Sequence, residues 1–201
     1  MDEYEKQAKE VIEKIDPSLE YCRRLYPSSL MVYQVTRRNS PFVLKIADYR
    51  EYFSDITGED KTEWRFLEVV KWIRRERKAL RLLKDVSGIT HLIKEYKSPD
   101  DTHKCPILKE YYDGIALNRF SNERITDSTN QQKMIETIES IHNLGVVSLD
   151  IKLENTVVSF DRKDVCIIEL GSPIFKTEVD YSEFEKLRAE DLERLERFVF
   201  N

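Results

Sequence analysis

A chain of 201 residues that is 40% hydrophobic and 10% aromatic is long enough for one good core, or for two small lobes sharing a cleft. Charged residues make up 35% and leave a formal net charge of -5, which argues against a globally basic nucleic-acid binder without excluding a local basic patch. Only 5 Gly and 6 Pro argue against long flexible linkers and low-complexity tails.

The three cysteines, Cys22, Cys105 and Cys166, are odd in number and widely separated, so they point to no disulfide framework. No Cys or His pair has zinc-ligand spacing. The start, Met1-Asp2-Glu3-Tyr4-Glu5-Lys6, is acidic and polar rather than signal-like, and no apolar run approaches the roughly 20 residues that span a bilayer. The expectation is a soluble protein of a reducing, cytoplasmic compartment with no membrane partner.

In chain order, Tyr4, Ala8, Val11, Ile12 and Ile15 fall on one helical stripe that Pro17 ends. Two strands are expected over 30–35 and 42–46, joined by a hairpin turn at Arg37-Arg38-Asn39-Ser40-Pro41. Residues 48–62 read as a polar loop or insertion. Val69, Ile73, Leu80 and Leu83 mark the clearest helix, from Trp64 to Lys84. Strands follow around 92–96 and 107–111, with Ser98-Pro99-Asp100-Asp101 as a turn between them. Asp127, Ser128 or Thr129 can cap a helix that runs to Leu144 and ends at Gly145. Two short apolar runs, 156–158 and 165–168, read as a hairpin around Phe160-Asp161-Arg162-Lys163, and a last helix spans 181–200. A strand-rich first half with one long helix, then a mostly helical second half, suits a single α+β domain of two lobes, 1–113 and 114–201.

The stretch that concentrates chemistry is Ser148-Leu149-Asp150-Ile151-Lys152-Leu153-Glu154-Asn155. This stretch, with the preceding Ile141-His142-Asn143-Leu144-Gly145-Val146-Val147, resembles the catalytic loop of protein kinases, H-R-D-L-x-x-x-N. The resemblance implies that the Asp150 carboxylate accepts or orients a nucleophile's proton, that Lys152 offsets negative charge on a transferred phosphoryl group, and that the amide oxygen of Asn155 holds a metal on the phosphates. The resemblance covers roughly residues 19–200 and implies a two-lobed protein-kinase-like fold using ATP and Mg2+. Ile167-Ile168-Glu169-Leu170-Gly171 stands where kinases place D-F-G, which implies Glu169 as a second metal ligand with its carboxylate one methylene further out. Phe42-Val43-Leu44-Lys45-Ile46 resembles V-A-I-K, implying that Lys45 contacts phosphates and pairs with an acid on the following helix. Glu76 is the natural partner, because a carboxylate in an apolar helical stripe needs a cation. Ile107 to Gly114 resembles the hinge strand, with Glu110 and Tyr111 contacting adenine through the backbone.

The pattern also departs from the family. No glycine occurs between Leu25 and Tyr33, where a glycine-rich loop is expected; Ser28 and Ser29 stand there instead. Ser148 and Leu149 replace the His and Arg of H-R-D, no A-P-E follows, and the second lobe is short. Asp191 reads either as an acceptor for catalytic-loop N–H groups or as a solvated charge. His91 and His103 read as solvent-facing loop residues and His142 as structural. The basic run from Lys71 to Lys84 reads mainly as the wet face of a helix, with contact to RNA or an acidic partner as the alternative.

Three functions follow from the resemblance. The first is an active, atypical serine/threonine protein kinase. The second is a pseudokinase acting as a nucleotide-binding or scaffolding module. The third is a small-molecule kinase. The expected partners are accordingly a protein or small hydroxyl substrate and a possible binding protein, with no strong nucleic-acid signal.

Overall fold

Apolar periodicity translates directly into elements in the computed structural model, which describes residues 3–27, 30–48, 62–100, 103–119, 125 and 127–200. The elements in order are α1 (Glu3–Ile15), β1 (Glu20–Pro27), β2 (Leu30–Arg37), β3 (Ser40–Asp48), α2 (Thr62–Leu82), β4 (Leu92–Glu95), β5 (His103–Glu110), β6 (Gly114–Ala116), α3 (Ser128–Asn143), β7 (Val146–Val147), β8 (Thr156–Ser159), β9 (Val165–Ile167), β10 (Ile174–Phe175) and α4 (Tyr181–Leu195). The chain forms two compact units, Met1–Arg74 with Leu92–Tyr111, and Arg75–His91 with Tyr112–Asn201. Among the described residues, no helix is long and apolar enough to cross a membrane.

The first unit is built on a five-stranded sheet of order β1-β2-β3-β5-β4. β2 and β3 are joined by a tight hairpin. Arg37 pairs with Ser40, and Arg38 and Asn39 between them take φ of 51° and 67°. Two consecutive left-handed residues make the primed turn that matches strand twist. The sheet alternation then separates two cores. Met31, Tyr33, Val35, Leu44, Ile46 and Leu108 pack with Ala8, Val11 and Ile12 of α1. Ala47, Cys105 and Ile107, from the opposite strand parity, pack with Phe66, Val69, Val70 and Ile73 of α2. Burying one such aliphatic side chain contributes about 1.5–3 kcal/mol, so each helix is held mainly by its stripe.

Asp16 ties the end of α1 to the β4 edge of the sheet. It accepts from the Ser18 N–H (3.0 Å) and hydroxyl (2.6 Å), the Tyr96 hydroxyl (2.8 Å) and Lys94 Nζ (3.2 Å). Burial pushes its carboxyl up, but these donors together outweigh it and hold Asp16 well below the usual carboxylate range. His103 corrects a sequence expectation. It is 2% exposed in β5, with Nδ1 2.8 Å from Asp100 Oδ1, so an Asx-type partner three residues back lets an imidazole enter the sheet instead of facing solvent.

In the second unit, Asp127 caps α3 by accepting from Asn130 N at 3.1 Å, and Gly145 follows the helix at φ 80°. α3 buries Met134, Thr137, Ile138, Ile141 and His142. Two small sheets, β6-β8-β9 and β7-β10, lie within this unit. The expected last helix is α4 as far as Leu195, followed by a π-helical turn over Glu196–Phe200. The expected loop over 48–62 falls, apart from its two ends, on residues outside those described, as do Ser28 and Ser29.

Candidate active site

The loop that carries Asp150 is fixed at both ends. Behind it, β7 pairs with β10 through Val147–Ile174 and Val146–Phe175. Ser148 then takes a left-handed backbone, φ 60°, which turns the chain sharply out of the strand. Leu149 is anchored in the core at 1% exposure. Its N–H donates to Asp191 Oδ1 at 2.9 Å, and its carbonyl accepts from Arg194 at 3.2 Å. Asp191 is fully buried, and its Oδ2 lies 3.0 Å from His142 Nε2. Asp191 therefore acts as the backbone acceptor, the first of its two sequence readings, and His142 is structural as expected.

Asp150, Lys152 and Asn155 come together at the end of this anchored stretch. Lys152 Nζ lies 2.8 Å from Asp150 Oδ2, and the Asn155 Nδ2 donates to the same oxygen at 2.9 Å and to the Asp150 carbonyl at 2.8 Å. Asn155 is buried, whereas the Asp150 and Lys152 side chains are 41% and 40% exposed. The Asp150 carboxylate is thus oriented by a buried amide while one side stays open to solvent. Burial alone would lower the Lys152 ammonium, but its hydrogen bond to Asp150 and the charges of Asp150, Glu154 and Glu169 outweigh it, so Lys152 is held above its ordinary value and stays protonated.

Glu169 belongs to the same construction. The Ile168 N–H donates to the Asn155 carbonyl at 2.9 Å, and the Asp150 N–H to the Leu170 carbonyl at 3.3 Å, so main-chain bonds on both sides of Glu169 strap its segment to the loop. Gly171 follows at φ 69°; a Cβ there would lie 2.6 Å from that of Asp150. Only glycine permits that approach in that conformation.

The other expected site residues are distributed between the units. Lys45 lies on β3 opposite Val32 and Ile107, on the sheet side that faces α2, and is 4% exposed. Glu110 ends β5 opposite Phe42, and Tyr111 is the last residue of the first unit. Glu76 is fully buried in α2 and belongs to the second unit, with Asp150, Lys152, Asn155 and Glu169. Sequence reasoning missed Lys109, which is 3% exposed in β5 opposite Val43 and Leu92. It shares strand parity with Ile107, so two buried lysines lie on one side of the sheet. The signal was available: Lys109 stands two residues after Ile107 in an unbroken buried strand.

The chain matches no protein-family model. Among solved structures it is similar to the PK-1 kinase of Cydia pomonella granulovirus, with a TM-score of 0.57 and 16% identity. The match covers 85% of this chain and 59% of that kinase, so the chain spans less than two thirds of the length of the protein it matches. At that identity the likeness is one of fold. The two units, the antiparallel sheet with its helices and the loop bearing Asp150 thus constitute an α+β, protein-kinase-like fold.

Proposed function

We propose that the chain is an ATP-dependent phosphotransferase, a small atypical serine/threonine protein kinase that moves the γ-phosphate of ATP to a hydroxyl. The observation that carries this reading is the Asp150 carboxylate, bonded by Lys152 and Asn155 yet 41% exposed. Asp150 takes up the proton of the attacking hydroxyl. The new O–P bond forms at that oxygen as the bond to the β-phosphate breaks, releasing ADP. Lys152 offsets charge on the transferred group.

Asn155 and Glu169 fit a hard cation. Asn155 spends its Nδ2 on Asp150 and so keeps an amide oxygen as ligand, and Glu169 supplies a carboxylate on a segment strapped to it. Among the described residues no cluster of three or more His, Cys, Asp or Glu would hold a metal unaided. Mg2+ needs none, because it keeps waters and shares itself between one or two side chains and substrate phosphates. When bound, it neutralises charge on those phosphates. Lys45 is assigned to the α/β-phosphates with Glu76 balancing it, and the backbone of Glu110 and Tyr111 to adenine.

The test is transfer of labelled γ-phosphate to a panel of proteins and small hydroxyl compounds. Losing a general base costs about 10²–10⁴ in rate, so Asp150→Asn is expected to lose at least a hundredfold. An undiminished rate would refute the assignment. The second reading, a nucleotide-binding pseudokinase, is favoured by Leu149, an aliphatic side chain sealed at 1% exposure where an active loop usually carries arginine. ATP binding with no Asp150-dependent turnover on any acceptor would favour it.

A further inference from the structure

α2 carries an outward stripe that phosphoryl transfer does not use. Leu67, Lys71, Arg74, Lys78 and Arg81 recur at steps of four, three, four and three, which aligns them along one side of the helix. Val69, Ile73, Glu76, Leu80 and Leu83 are buried on the other side. Leu67 is 56% exposed, and the side chains of Lys71 and Lys78 are 59% and 52% exposed. Arg74 and Arg81 are exposed as well. Leu82, 48% exposed, continues the line, and Trp72, 42% exposed, borders it.

This composition is not that of a solvated face. Among the described residues seven large hydrophobic side chains stand exposed, and three of them, Leu67, Trp72 and Leu82, are on this one helix. The stripe itself contains no acid. Two of its cations have acidic neighbours: Glu68 lies 3.5 Å from Lys71, and Glu178 lies 3.5 Å from Lys78, which also sits 3.7 Å above the Phe175 ring. A chain of net charge -5 thus gathers cations along one helix and sets large apolar side chains at both ends of their row.

We propose that this stripe docks an acidic amphipathic helix of a partner protein. Leu67 and Leu82 are the apolar ends, and Lys71, Arg74, Lys78 and Arg81 are the cationic middle. At 1.5 Å per residue the two leucines stand about 22 Å apart, which is about four turns of a partner helix. The 4-3 spacing of the cations matches the spacing at which a helix presents glutamates, so the charges fix partner orientation and register while the leucines contribute burial. A nucleic-acid backbone matches the charges but leaves the flanking leucines nothing to pack against, and the net negative chain opposes it.

The test uses the full chain and a fluorescein-labelled 18-residue peptide with leucine and glutamate at four- and three-residue steps, read by anisotropy. A scrambled peptide of the same composition and a 20-nucleotide single-stranded RNA serve as comparisons. The matched peptide is expected to bind at least tenfold more tightly than either. Lys71→Glu with Arg74→Glu is expected to weaken binding about tenfold, the sum of two rim charges reversed. Leu67→Ala with Leu82→Ala is expected to weaken it severalfold and provides an independent reading if the charge-reversed protein fails to fold. Equal binding of the scrambled peptide, tighter binding of RNA, no binding of the matched peptide, or undiminished binding by both folded variants overturns the proposal.

Discussion

Replacing Asp191 by alanine removes one carboxylate that serves two buried donors. Its Oδ1 accepts the Leu149 N–H at 2.9 Å and its Oδ2 lies 3.0 Å from His142 Nε2, and both residues are closed to water. Each orphaned buried donor costs about 1–3 kcal/mol, and the lost side-chain volume adds a small cavity, so a destabilisation of about 3–5 kcal/mol is expected. In a protein of this size each kcal/mol lowers Tm by about 2–4 °C, giving a fall of roughly 6–20 °C. Asp191→Asn keeps an acceptor for Leu149 but presents an amide donor to His142, so about half of the loss is expected to return. Thermal and urea unfolding followed by circular dichroism measure both. A loss below about 1 kcal/mol for Asp191→Ala would refute the reasoning, because it would mean that Leu149 and His142 find other partners at no cost.

Three further outcomes follow from other parts of the molecule. Gly171→Ala places a Cβ 2.6 Å from that of Asp150 at φ 69°; the backbone alone costs about 1–2 kcal/mol, and a stability equal to the parent's in urea unfolding would contradict the close approach. Asp16, whose carboxyl is held low by its donors against the effect of burial, contributes stability that is fully present above the ordinary aspartate value near 3.8 and is lost as pH falls below it toward the depressed folded value. Acid unfolding of Asp16→Asn is therefore expected to be flatter below pH 4, and superimposable profiles would exclude the linkage. Burial, aided by the charges of Cys166 and Asp164, pushes the Tyr112 phenol up to about 12. Its contribution is present below the ordinary value of 10.0 and is lost as pH rises toward 12. The phenolate absorbance difference between the parent and Tyr112→Phe is expected to titrate above the ordinary value of 10.0, toward 12; titration near 10 would show otherwise.

Elements with strong periodicity were legible in the sequence. The stripes of α1, α2 and α3, the β2–β3 hairpin and the β8–β9 hairpin each follow from apolar spacing and turn residues. The short pairings were not: β7 and β10 are two residues each, and their existence depends on Val147 meeting Ile174 across 27 positions of chain, which no local pattern encodes. The candidate site was legible as chemistry, since Asp150, Lys152 and Asn155 lie within six positions and an anchored loop brings them together. Its supports were harder to read. Asp191 looked equally like a surface charge because its helix is rich in Glu and Arg, and only burial distinguishes the two. His103 misled because the sequence shows a polar residue near a turn, whereas its partner Asp100 removes the cost of burying it.

The straps between the Asp150 loop and the Glu169 segment are made of main-chain atoms. The Ile168 N–H to Asn155 carbonyl bond and the Asp150 N–H to Leu170 carbonyl bond involve no side chain at all. Such a frame is indifferent to what residue 169 carries, so long as Gly171 keeps its clearance. A lineage can therefore lengthen, shorten or neutralise the acid at that position without dismantling the loop beside it. The fold supplies a mount on which the side chain at position 169 is exchangeable while the architecture around it persists.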